Sequence, residues 1–74
     1  MKYERIREIF NSCGNSQMRD VNVEEIESDD IDSDVLQFCN GKNVRFEKID
    51  KKDGAVFEIT IDGLKQRVSY AEIE

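Results

Sequence analysis

Gly54-Ala55-Val56-Phe57-Glu58-Ile59-Thr60-Ile61-Asp62-Gly63-Leu64-Lys65-Gln66-Arg67-Val68-Ser69-Tyr70 is the stretch that decides the fold. Apolar and polar residues alternate on both sides of Asp62-Gly63, a dipeptide that favours a two-residue hairpin turn. That turn predicts Ile61 opposite Leu64, Ile59 opposite Gln66, Phe57 opposite Val68 and Ala55 opposite Tyr70. This face is apolar except for Gln66. The other face sets Glu58 against Arg67 and Thr60 against Lys65, a solvated charge ladder.

Working outward, Lys51-Lys52-Asp53-Gly54 reads as a four-residue loop. It places Val44 opposite Ile61 and Phe46 opposite Ile59. Two loops and one alternation then agree on a three-stranded antiparallel meander with one apolar face, and such a face needs a cover. The same register opposes Ile49 and Val56 on the charged face. That pair is a candidate contact with a partner or a second subunit. The Asn43–Asp50 edge is open to strand addition unless residues 19–26 cover it.

Residues 29–41 support two readings. As a helix, Ile31, Val35, Phe38 and Cys39 form one stripe, Ser28 or Asp29 caps it, and Gly41 ends it. As a strand, Val35–Cys39 would enter an Asn40-Gly41 hairpin opposing Val35 and Phe46, but both faces come out mixed. The helix is preferred. Residues 19–26 read as a short edge strand, with Val21 and Val23 on one side and Asn22, Glu24 and Ile26 on the other.

At the N-terminus, Tyr3, Ile6, Ile9, Phe10 and Cys13 fall on a helical stripe, with Gly14 as the stop and Asn15-Ser16 continuing the break. The resulting expectation is an α+β fold over residues 1–74 as a single small domain. Its order is N-terminal helix, short strand, second short helix and three-stranded meander, with the helices covering the apolar face. The alternative is one helix on a five-stranded antiparallel sheet.

Charge is distributed unevenly. Net charge is −6 over 74 residues. Residues 20–40 hold Asp20, Glu24, Glu25, Glu27, Asp29, Asp30, Asp32 and Asp34 and no base, whereas residues 41–74 balance. Such a field repels nucleic acid and anionic membrane surfaces and attracts a basic protein surface. Glu24, Glu25, Glu27, Asp29, Asp30, Asp32 and Asp34, together with Ile49 and Val56, are therefore the candidate partner-binding residues. Homo-oligomerisation is compatible with the same surfaces.

The sequence contains no histidine. That removes the commonest general base and metal ligand, and with it Ser-His-Asp and Cys-His catalysis within this chain. Asp30, Asp32 and Asp34 match the first three ligand positions of a calcium loop. Val35 stands where that loop needs glycine, and Gly41 where it needs its bidentate glutamate. No metal, cofactor or catalytic residue is assigned.

The two cysteines, Cys13 and Cys39, are too few for a disulfide scaffold, and no apolar leader opens the chain. A cytoplasmic protein with free thiols is expected. Cys13 beside Gly14 is the candidate redox or metal-handling thiol. Its place at a helix C-terminus, where the dipole disfavours a thiolate, argues for a core role instead. The function expected is a small non-enzymatic interaction or accessory protein that meets a basic partner. A thiol redox or metal-handling protein is the alternative.

Overall fold

In a computed structural model of the chain, residues 1–13, 16–41 and 43–73 are described, with side chains for 1–10, 20–41 and 43–73. The fold is mostly β, a five-stranded antiparallel sheet carrying one short helix. The strands are β1 (Lys2–Cys13), β2 (Ser16–Glu27), β3 (Val44–Lys51), β4 (Gly54–Ile61) and β5 (Leu64–Ile73). The helix α1 (Ile31–Val35) runs on into a single 3-10 turn, Leu36–Phe38. Spatial order is β2-β1-β5-β4-β3, so β5 is central and β2 and β3 are the two edges.

The deciding stretch folds in the register read from it. Ile61 pairs with Leu64, Ile59 with Gln66, Phe57 with Val68 and Ala55 with Tyr70. Asp62 and Gly63 both take positive φ, 50° and 85°, as the tight turn requires. Val44 lies opposite Ile61, Phe46 opposite Ile59 and Ile49 opposite Val56. The preceding loop is shorter than expected, because Lys51 already pairs with Gly54. A Cβ on Gly54 would fall on the Tyr70 carbonyl, so the close approach of β4 to β5 fixes glycine there.

The expected three-stranded sheet is corrected to five strands with one helix, which the alternative reading fits, and the expected N-terminal helix is a strand. β1 pairs with β5 from Lys2↔Ile73 to Phe10↔Lys65, and with β2 from Lys2↔Glu27 to Cys13↔Ser16. The helical stripe was a coincidence of spacing. In the strand, Tyr3 and Ile9 share the covered face with Arg5 and Arg7, while Ile6 and Phe10 lie on the opposite face with Lys2, Glu4 and Glu8. Tertiary pairing outweighs the local period, since β5 has a free edge that β1 completes. The expected helix stop at Gly14, and Asn15 after it, lie outside the described residues.

β2 is longer than residues 19–26 but has the expected sides. Val21 and Val23 pair with Glu8 and Ile6, and Asn22, Glu24 and Ile26 pair with Arg7, Arg5 and Tyr3. It flanks β1, which leaves the β3 edge uncovered.

Between β2 and β3 the chain crosses one face of the sheet from edge to edge, and α1 lies on this crossing. Val35 is fully buried against Ala55, Phe57, Ile59, Val68 and Tyr70, with Ile31, Phe38 and Cys39 packed beside it. These four are the stripe expected of the helical reading. The cap is Asp30 rather than Ser28 or Asp29. Asp30 is extended, and its carboxylate accepts from the Asp32 and Ser33 amides at 3.1 and 3.4 Å. Ser28 instead accepts from the Asp30 amide through Oγ, at 3.1 Å. The helical segment also ends before Gly41, where a Cβ would overlap Ile61 Cγ2.

Candidate functional site

The covered face carries the structure's densest polar network. β1 turns Arg5 and Arg7 toward the covered face, where Arg5 meets two carboxylates and Arg7 an amide oxygen. Arg5 NH1 donates to Asp34 Oδ2 at 2.8 Å, and Arg5 NH2 to Glu24 Oε2 at 2.6 Å. The Tyr70 hydroxyl donates to the same Asp34 oxygen at 2.5 Å. Arg7 donates through Nε and NH2 to Gln66 Oε1, at 3.2 and 3.0 Å. That explains the one polar residue on the apolar face, because buried Gln66 is the acceptor that holds Arg7.

Both guanidinium groups lie over the Phe38 ring, Arg7 at 4.5 Å and Arg5 at 5.1 Å from its centroid. On the far side, Lys48 reaches Asp32 at 3.0 Å and lies 5.8 Å from the Phe57 ring centroid. The network therefore fastens the helix to strands on either side of it.

The electrostatics follow from this placement. Burial pushes the Tyr70 phenol up, and its bond to Asp34 pushes it further, so Tyr70 is a fixed neutral donor. Burial works against the Arg5 charge, but Asp34 and Glu24 outweigh it and raise its pKa. Hydrogen bonds from Ser33 hold the Asp30 carboxyl below the usual carboxylate range. A hollow of about 70 Å³ lies between Arg5, Arg7, Asn22, Glu24 and Phe38. It is far below the several hundred Å³ of an ordinary ligand pocket.

The candidate acids are divided among different parts of the fold. Asp34 is turned inward and Glu24 is paired with Arg5. Asp32 is paired with Lys48, and Asp30 is spent on the cap. Asp29 is fully exposed and meets only the Met1 amino group, at 3.8 Å, among the described residues. Glu25 and Glu27 form no ion pair among the described residues, and both lie on the uncovered face.

Ile49 and Val56 share that uncovered face. The pairing extends them into a row across all five strands: Val23, Ile6, Ser69, Val56, Ile49. Among the described residues no element lies over it, and Val23 is 58% exposed. Ile6 and Val23 were not on the candidate list. A short signal for them is the local alternation in Arg5-Ile6-Arg7 and in Val21-Asn22-Val23, which the rest of β1 does not continue.

Burial pushes the Cys39 thiol up, which disfavours its thiolate. Cys13 lies at the end of β1, so the helix-dipole argument about it no longer applies, and its side chain is outside those described. No group of three His, Cys, Asp or Glu residues is placed to hold a metal ion among the described residues. No helix among them is long and apolar enough to cross a membrane.

Compared with known proteins, the chain matches no family model, no curated protein and no solved structure.

Proposed function

We propose that the chain is a small non-enzymatic interaction protein whose acidic rim, at the end of β2 and the turn into α1, meets a basic surface on a protein partner. The observation that carries this reading is the unequal pairing of its acids. Arg5 and Lys48 take up Glu24, Asp34 and Asp32. Glu27 and Asp29 stay exposed, Glu27 opposite Lys2 but in no ion pair among the described residues, and Asp29 with only the distant Met1 amine. Charge left unmatched inside a molecule is available to a partner, and it speeds and orients association.

The test uses a fluorescent ten-residue peptide of alternating lysine and valine as the basic probe, titrated with the full chain. Anisotropy should report binding that weakens steeply as salt rises. The double variant Glu27→Gln/Asp29→Asn should bind several-fold more weakly with its circular dichroism unchanged. Binding that is indifferent to salt, or equal in the double variant, overturns the acidic-rim reading.

A further inference from the structure

We propose that the uncovered face of the sheet is the seat of a second copy of this chain, packed sheet on sheet about a two-fold axis that runs along β5. Three observations carry this.

The first is the row Val23, Ile6, Ser69, Val56, Ile49. It crosses the whole face, and Val23, Val21 and Ile49 are 58%, 47% and 38% exposed. Isolated apolar residues on a surface are ordinary, but a row spanning every strand is a contiguous patch.

The second is the symmetry of the strand order. β5 is the central strand, with β1 and β4 beside it and β2 and β3 at the edges. An axis along β5 brings β1 over β4 and β2 over β3. Ile6 then meets Val56 of the second copy, and Val23 meets Ile49 of the second copy, each contact occurring twice as an isologous interface requires. Ser69 and Ala71 lie on the axis strand itself. Their small side chains let the two sheets approach to the spacing of about 10 Å usual for stacked sheets.

The third is charge and area. One row below the apolar one, Glu25 stands on β2 and Lys51 on β3, level with each other across the sheet. The axis sets Glu25 above Lys51 of the second copy at both corners, within reach of two long side chains. One row above, the axis sets Glu8 over Glu58 of the second copy, a like-charge contact that Arg67, paired with Glu58 at 3.1 Å, offsets from the axis strand. Five strands about 4.8 Å apart and about 25 Å long give roughly 600 Å² per copy. The pair would bury about 1,200 Å², the lower bound of specific, stable interfaces.

The experiment is sedimentation equilibrium on the full chain, from about 1 µM to about 1 mM, a range that spans the weak dimers expected of an interface this small. A rise from monomer to dimer mass is expected. Ile49→Glu should return the chain to monomer with its circular dichroism unchanged. Val23→Lys serves the same purpose on the other edge if Ile49→Glu fails to fold. Glu25→Lys and Lys51→Glu should each weaken the dimer roughly tenfold. The two changes together should restore it, because the charges are exchanged rather than removed. A monomer at every concentration overturns the proposal. So does a dimer that ignores both apolar substitutions, or a double charge variant no tighter than either single one. Peptide binding is read on the wild-type chain at about 1 µM, where it is monomeric, and self-association at higher concentration, so the two can fail independently although Glu27 lies on the same face.

Discussion

The two faces of this sheet are made of alternate residues of the same five strands, and they differ both in composition and in what lies over them. On one face, Phe57, Ile59 and Val68 are fully buried beneath Val35. On the other, Val23, Ile6, Val56 and Ile49 form one apolar row with Ser69 at its centre, and no described element lies above it. The covered face is not free of charge, since Arg5 and Arg7 stand within it. What makes it coverable is that the crossing segment brings Asp34 and Asp32 to Arg5 and Lys48, while Gln66 holds Arg7. An arginine in a core position is tolerable when its donors are met and its plane rests on an aromatic ring. The apolar period thus says which residues share a face and where the crossing packs, and the charges carried by the crossing meet the basic residues at the margins of that core.

Substitutions that treat the two faces alike should separate them, at protein concentrations low enough to keep the chain monomeric. The largest effect is expected at Phe57, which is fully buried between Phe46 and Tyr70. Phe57→Ala should cost about 3–5 kcal/mol, most of the stability of a domain this small, and leave little cooperative urea transition. A cooperative transition within about 1 kcal/mol of wild type would show that the covered face is not the core.

Next comes the charge network. Asp34→Ala strands the Arg5 NH1 group and the Tyr70 hydroxyl, so a loss of about 2 kcal/mol is expected. Glu25→Ala on the open face should change stability by less than about 0.5 kcal/mol. Equal urea midpoints for these two variants would contradict the asymmetry between the faces.

The sharpest comparison is a matched pair on adjacent strands. Val68→Thr places a hydroxyl in the covered core and should cost about 1–2 kcal/mol. Val56→Thr makes the same change on the open face, where water reaches the hydroxyl, and should cost a small fraction of that. Similar losses at both positions would mean that the open face is covered even in the monomer.

The smallest effect concerns the crossing itself and is read against pH. Asp30 has its carboxyl pKa lowered by the cap hydrogen bonds, from a usual value of 3.8. Its ionised form is therefore favoured in the folded state. The stability it supplies is complete above the unfolded pKa and is lost as pH falls through the lower folded value. Asp30→Asn keeps a side chain that caps but does not titrate. The thermal midpoints of variant and wild type should thus converge, then cross in the variant's favour, as pH falls below about 4. A difference that is constant with pH would show that the cap does not depend on charge.

How much of this was legible in the sequence depends on which strand is considered. Residues 44–70 were readable because their pairings are local. Asp62-Gly63 fixes one register, and every apolar side chain of Phe57, Ile59 and Ile61 agrees with it. The crossing was readable as a helix because Ile31, Val35, Phe38 and Cys39 keep one stripe, although its cap is Asp30 and not the expected Ser28 or Asp29. β1 was not readable. Both of its faces are mixed, since Arg5 and Arg7 have partners more than fifteen residues away and Ile6 and Phe10 lie on the open face. A strand so built has no clean period of two, and Tyr3, Ile6, Ile9 and Phe10 then imitate a helix. The acidic site was half legible for the same reason. Composition located the eight acids, but only the long-range pairing shows that Arg5 and Lys48 take up Asp34, Glu24 and Asp32 while Glu25 and Glu27 form no ion pair among the described residues.

The pairing of Lys2 with Ile73 has a consequence for how the chain is made. β5 lies in the middle of the sheet yet is its last strand in the order of synthesis. Until it emerges, β1 with β2 and β3 with β4 are two separate ribbons with no hydrogen bond between them. Isolated ribbons are at best marginally stable in water. Folding must wait for a contact that closes nearly the whole length of the chain, the kind of closure that slows folding most. A growing chain halted before Leu64 would expose four unzipped strand edges instead of two, so the interval before β5 appears is when the protein is most open to aggregation.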